Sequence, residues 1–136
     1  MLLPAIGKAK AKAQRIACVS NLKQSGVGII LWSQDQEGKY PWVVKTADGG
    51  SFAQPRTWQH FDTISNELST PKVLHCPSDK ARIVADTFNA ASTASLASLG
   101  NNAVSYTIGT EATEGNSLMH IVTDRNIVGT TKFLPW

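Results

Sequence analysis

The first 38 residues place apolar and polar side chains at the three-and-four spacing of one long helix. Val19, Leu22, Gly26, Ile29 and Ile30 form a stripe that another element must cover, whereas Lys8, Lys10, Lys12 and Arg15 make the first half basic. From Ala5 to about Gln36 such a rod measures roughly 48 Å at 1.5 Å per residue, well beyond a usual globular helix. The back half therefore reads as packed and the front half as solvated or paired. The helix opens inside the apolar run Met1-Leu2-Leu3 with no capping residue before it. Pro4 suits either a first helical turn or a kink in a longer helix. Glu37-Gly38-Lys39 predicts a C-terminal cap on glycine.

After the helix the period changes. Residues 40–46 are aromatic and β-branched enough for a strand, and Ala47-Asp48-Gly49-Gly50-Ser51 is a turn of the Asp-Gly type. Trp58, Phe61, Ile64 and Leu68 stand at helical spacing, which predicts a short helix over 58–68 stopped by Thr70-Pro71. Residues 73–76 read as a short buried strand, followed by the Pro77-Ser78-Asp79 turn. Residues 81–91 read as helical, and 92–102, rich in Ser, Ala, Gly and Asn, as a surface loop that need not be ordered. Strands over 103–109 and 119–123 flank a polar connection at 110–117, and 128–136 reads as an irregular tail. This order predicts an α+β fold, a long N-terminal helix packed by its second half across a small antiparallel sheet. It forms one domain over 1–136, with the helix at 1–38 and the head at 39–136.

The stretch MLLPAIGKAKAKAQRIACVSNLKQSG resembles the helical segment of type IV pilin-like proteins, in particular the pseudopilin-like prepilins of planctomycete and verrucomicrobial type. Further matches follow in the family's order: Leu31-Trp32, Tyr40-Pro41-Trp42, Asn66-Glu67-Leu68-Ser69-Thr70-Pro71-Lys72, Cys76-Pro77-Ser78-Asp79, Ser105-Tyr106 and Asp124-Arg125-Asn126-Ile127. Together they cover well over half the chain. The resemblance implies a pilin-like layout and a non-enzymatic subunit that assembles through its N-terminal helix into a type IV pilus filament or type II secretion pseudopilus. Its partners would be other pilin or pseudopilin subunits. It further implies a native form in which a short basic leader ending in glycine and about 20 apolar residues, the span of a bilayer core, precede Leu2-Leu3-Pro4. That form would be anchored in the inner membrane with a periplasmic or extracellular head, while the chain as given, without such a span, is expected to be soluble. Relatives often continue with a segment bearing a His and an Asp-Gly strand-turn. Neither follows Ile127 here, so the sheet is expected to be a strand or two short, with an edge open to pairing.

Charge changes this picture little. The net charge of +3 is local: residues 1–17 hold four basic and no acidic side chains, and the remainder holds nine basic against ten acidic. A basic helix can meet nucleic-acid phosphates or anionic headgroups, or simply be solvated. Confined to one helix end, it does not mark a nucleic-acid-binding domain. The 42% hydrophobic and 17% charged composition excludes a disordered class.

Candidate chemistry is sparse. In an exported protein Cys18 and Cys76 form a candidate disulfide, the alternative being two small buried thiols. A nucleophilic Cys76 needs a base, but the neighbouring His75 would point to the opposite face of a strand, and His60 could reach it only through the fold. His60, His75, His120, Cys18 and Cys76 lack zinc-ligand spacing. Glu111, Glu114 and Asp124 are the calcium candidates, without the dense acidic order of a recognised loop; Asp124 and Arg125 read instead as turn and ion-pair residues. Tyr40, Trp42, Trp58 and Trp136 would line a site if the chain were a membrane-anchored binding module that does not polymerise, for instance one for a glycan, or would otherwise pack the core.

Overall fold

The computed structural model describes residues 2–113, 115 and 120–125. Its fold is α+β. Helix α1 (Leu2–Asp35) runs for 34 residues and packs by its second half on a head that contains α2 (Thr57–Thr63), α3 (Ser65–Leu68), α4 (Leu96–Leu99) and a sheet of β1 (Tyr106–Ile108) and β2 (Val122–Asp124). The two strands are antiparallel, with Tyr106 opposite Asp124, Thr107 opposite Thr123 and Ile108 opposite Val122. Phe61, Ile64, Leu74, Leu96, Val104, Tyr106 and Ile108 form the centre of the core, and Ile29 and Trp32 bring α1 into it.

The buried face of α1 differs from the predicted stripe. Leu22 and Ile29 belong to it, but Val19 and Ile30 are 53% and 40% exposed. The packed face runs instead through Cys18, Leu22, Ser25, Ile29 and Trp32, with Ser33 beside it. Two buried serines make this possible. Ser25 Oγ donates to the Asn21 carbonyl at 2.9 Å and Ser33 Oγ to the Ile30 carbonyl at 2.7 Å, so neither hydroxyl is left unpaired in the core. Gly28 permits the close approach: a Cβ there would lie 2.8 Å from Leu68 Cδ2 on α3. The helix ends as a Schellman motif, in which Gly38 N–H bonds the Ser33 carbonyl at 2.8 Å. The left-handed residue of that motif is Glu37 (φ 57°), with Gly38 (φ 77°) following it, so the cap falls one residue before the predicted glycine.

Several predicted elements of the head are replaced. Residues 40–46 form no strand: Tyr40, Trp42 and Val44 are buried, but the backbone turns back on itself, Ser51 N–H reaching the Pro41 carbonyl at 2.7 Å and Phe52 N–H the Val44 carbonyl at 2.9 Å. The apolar alternation is satisfied by core contact, with no partner strand. The turn at the Asp48-Gly49 pair forms as a 3₁₀ turn (Thr46–Asp48) ended by Gly49 at φ 84°. The helix predicted over 58–68 is present in two pieces, α2 and α3, broken at Ile64. There Thr63 Oγ1 donates back to the Gln59 carbonyl at 2.9 Å, a bond that bends helices.

The strand predicted at 73–76 is a 3₁₀ turn (Pro71–Leu74) leading into extended His75 and Cys76, because Pro71 opens a turn and Thr70 Oγ1 accepts from Lys72 N–H. Residues 81–91 are irregular, not helical. Their N–H groups go to the following segment, Ile83 to the Asn102 carbonyl and Asp86 to the Ala94 carbonyl, and Thr87 bridges Ser95 in parallel. Residues 92–102, predicted as a loose loop, hold α4 and most of a 3₁₀ turn (Gly100–Ala103), with Leu96 fully buried and Ser95 capping α4 by accepting from Ser98 N–H. The predicted strand over 103–109 is shortened to β1. The one at 119–123 is shifted to β2; Met119 and the tail at 128–136 lie outside the described residues.

Gly26 and Gly28 separate propensity from packing. Nothing lies within 4 Å of a Cβ at Gly26, so Gly26→Ala is expected to stabilise the fold by about 0.5–1 kcal/mol through helix propensity. Gly28→Val, which forces Leu68 out of its place, is expected to cost about 1–3 kcal/mol. Urea melts of the three proteins check both signs.

Candidate functional site

Among the described residues the longest exposed run is the front of α1. Residues 5–13 are exposed throughout, Gln14 is partly buried, and packing against the core is established at Cys18. Residues 2–17 thus project as about 24 Å of helix at 1.5 Å per residue. They carry Lys8, Lys10, Lys12 and Arg15, all exposed. Ile6 and Ile16 are 62% and 61% exposed, unlike the usual fate of large aliphatic side chains.

Some of the exposed apolar residues of α1 fall into one series, while Ile6, Val19 and Leu31 lie outside it. Ala9, Ala13, Ile16, Ser20, Lys23, Val27 and Ile30 follow one another in alternating steps of four and three, on the side of the helix away from the packed series of Cys18, Leu22, Ser25, Ile29 and Trp32. Steps of that kind line up as one seam, the arrangement by which helices pair. Ser20 and Lys23 interrupt the apolar run in its middle. The same two residues, with Gln24, Val27 and Gly28, form one wall of a groove of about 530 Å³ whose other wall is the 67–73 segment.

A compact anchor fixes the projecting half. Cys18 and Cys76 are joined by a disulfide, their Cα atoms 4.7 Å apart. The bridge closes a sequence separation of 58 residues, a loop worth about 4 kcal/mol in the chain-entropy account. Around it, Tyr106 Oη donates to the Cys18 carbonyl at 3.0 Å and Asn21 Nδ2 to the His75 carbonyl at 2.9 Å. Burial first, then the charges of Asp124 and Asp79, push the Tyr106 hydroxyl up to about 12; it therefore stays a neutral donor at any physiological pH.

The other end of the bridge is held as firmly. Cys76 N–H donates to Ser105 Oγ at 3.0 Å, and Ser105 N–H bonds the Leu74 carbonyl at 2.9 Å. Beyond it Arg125 grips Asp79 with two bonds, Nε to Oδ2 at 2.7 Å and Nη2 to Oδ1 at 2.9 Å. Burial alone would raise the Asp79 carboxyl. The hydrogen bond and charge of Arg125, with bonds from Ala81 N–H and Ser105, outweigh it and hold the group below the usual carboxylate range. The Cys76-Pro77-Ser78-Asp79 turn is thereby tied to α1 by sulfur, to Ser105 just before β1 and to Arg125 just after β2.

The remaining candidate residues do not converge. Cys76 has no thiol to act as a nucleophile while bridged. His75 is half-buried and takes part through its carbonyl, and His120 is exposed. Among the described residues no three His, Cys, Asp or Glu side chains gather as a metal-binding group; Glu111 is exposed, Asp124 lies in β2, and Glu114 falls outside the described residues. Tyr40 and Trp42 belong to the core, their ring centroids 5.0 Å apart, Trp58 stands half-buried at its edge, and Trp136 lies outside the described residues. The bidentate Asp79–Arg125 pair joins residues 46 apart in sequence, and no sequence spacing announces it. Among the described residues no helix is long and apolar enough to cross a membrane. Comparison with known proteins finds no matching family model, no matching curated protein and no matching solved structure.

His60 is the one buried histidine of the described residues, 3% exposed, with Nδ1 2.6 Å from Ser51 Oγ and its ring edge-on to Trp42. Burial depresses it to about 4, partly opposed by a bond to the Gln54 backbone. The unfolded chain binds this proton near pH 6.5 and the folded one only near pH 4, so its contribution is complete above pH 6.5 and is lost as pH falls toward 4. Stability is expected to drop by about 2 kcal/mol between pH 7 and pH 5. Urea melts at both values check this, and His60→Gln should flatten the difference.

Proposed function

We propose that this chain is a non-enzymatic, pilin-like or pseudopilin-like structural subunit, in which α1 is the element of assembly into a filament or pseudopilus. One observation carries the reading. A helix of 34 residues devotes only its second half to its own head and presents a second, outward seam of Ala9, Ala13, Ile16, Val27 and Ile30 to whatever lies beside it. A large part of that surface is apolar and exposed, and another copy of the same helix covers it with the same spacing. The disulfide and the Tyr106 and Asn21 hydrogen bonds support the same role, because a subunit in a repeating array must hold its helix at one angle to its head. The resemblance of residues 1–26 to pilin helical segments supports it from the sequence side.

In this reading the native protein is anchored in the inner membrane by an apolar half-helix ahead of Leu2, and the head stands in the periplasm or outside the cell. Its partners are other pilin or pseudopilin subunits and the membrane, and no nucleic acid. A membrane-anchored head that displays a binding site without polymerising shares the anchor and differs only in whether α1 meets another copy. The coding sequence immediately upstream of the Met1 codon tests the anchor. In frame it is expected to encode a short basic leader ending in glycine and then about 20 apolar residues. An in-frame stop within a few codons overturns the assembly reading.

A further inference from the structure

A hollow of about 530 Å³ on the head is untouched by the anchor and the seam. That volume lies within the range of small-ligand sites. Arg56 and Trp58, at the start of α2, form one side, and Ser98, Gly100, Asn101 and Asn102 form the other. Trp58 stands apart from the other described tryptophans. Trp32 and Trp42 are 8% and 6% exposed and belong to the core, whereas Trp58 is half-buried and only packs against the core's edge. Its Nε1 donor is enclosed beside Gly100 and makes no hydrogen bond.

The surrounding groups are held in place. Asn101 Oδ1 accepts from Trp58 N–H at 3.1 Å, which fixes the start of α2 and leaves Nδ2 as the remaining donor. Asn102 Oδ1 accepts from Arg82 Nη1 at 3.4 Å and likewise keeps its Nδ2. Gly100, at φ 59°, lays bare backbone beside the indole; a Cβ there would sit 3.5 Å from Trp58 Nε1. No acidic residue lines the hollow, and Arg56 is exposed without an ion pair among the described residues.

An indole, two side-chain amides, a hydroxyl and an unpaired guanidinium make up a recognisable set of partners. Aromatic carbon covers the C–H face of a pyranose ring, amides and hydroxyls exchange hydrogen bonds with its ring of hydroxyls, and a guanidinium takes a carboxylate through two parallel bonds. We propose that this hollow is a binding site for an acidic saccharide, with a sugar ring against Trp58 and a uronate carboxylate on Arg56. A nucleotide phosphate also suits a guanidinium, but Arg56 is the only cation in the lining, and phosphate sites add further cations or a run of backbone N–H groups. The site does not depend on polymerisation and stands or falls separately from the assembly role.

The test is a ¹⁵N NMR titration of the whole chain with galacturonate, glucuronate and mannuronate trimers and with the neutral hexose trimer of each linkage. At least one acidic trimer is expected to shift the Trp58 indole resonance and the side-chain amides of Asn101 and Asn102, leaving the indoles of Trp32 and Trp42 in place. Its neutral counterpart should bind about tenfold more weakly, the worth of a charge-assisted pair. Arg56→Ala, at an exposed position, should weaken the acidic trimer to the level of the neutral one while leaving the spectrum of the core unchanged. Absence of a Trp58 shift with every acidic trimer at about 10 mM, beyond the range of even weak recognition, overturns the proposal. So does equal binding of acidic and neutral trimers that Arg56→Ala does not alter.

Discussion

The bond between Cys18 and Cys76 is made where α1 leaves the head, and the direction of the projecting half follows from it. Two neutral hydrogen bonds, from Tyr106 to Cys18 and from Asn21 to His75, flank it, each worth about 1 kcal/mol net against about 4 for the cross-link. The apolar face of Leu22, Ile29 and Trp32 holds the back half of the helix down along the head. Ahead of the sulfur there is only the helical ladder. Isolated helices of such length are marginal in water, so the front half takes its order from the ladder continuing into the packed half and, in an assembly, from neighbours.

The two faces of α1 have different chemistry for a physical reason. Against the head, small residues are interleaved with Leu22, Ile29 and Trp32: Gly28 lets Leu68 approach, and Ser25 and Ser33 satisfy their own hydroxyls within the helix. Away from the head the larger aliphatics appear, Ile16, Val27 and Ile30 among them. Large apolar side chains thus stand on both sides of α1, Leu22, Ile29 and Trp32 toward the head and Ile16, Val27 and Ile30 away from it. The head is correspondingly compact on the anchor side, where the Asp79–Arg125 pair closes the turn after Cys76 against β2. Its open polar hollow at Trp58 is lined by other residues.

Much of the helix and little of the head was legible in the sequence. Helix α1 could be read because its spacing persists through turn after turn, and the α+β class follows from it together with the strand signals at 103–109 and 119–123. Its buried face could not, since a hydrophobic stripe counts Val19 and Ile30 as inward and treats Ser25 and Ser33 as polar, whereas back-bonded serines are buried at little cost. In the head, β-branched and aromatic content at 40–46 predicts a strand, but burial of alternate side chains needs no ladder when the backbone hydrogen bonds close locally. The small-residue stretch at 92–102 hid α4, which only Ser95 ahead of Leu96 announces. The disulfide partners were nameable by count, whereas Asp79–Arg125 and the convergence of Arg56, Trp58 and Asn101 arise from tertiary contact alone.

The central claim is that the outward seam of α1 meets a second copy of the same protein in the cell. Site-specific photo-crosslinking in the native host tests it most directly, with a photoreactive residue placed at Ala9 or Ile16 on the seam and, as a reference, at Phe52, which is exposed on the head. The account predicts covalent dimers and higher multiples from Ala9 and Ile16 and monomer from Phe52. Monomer from all three positions, in cells where the protein is present at its normal level, would contradict it.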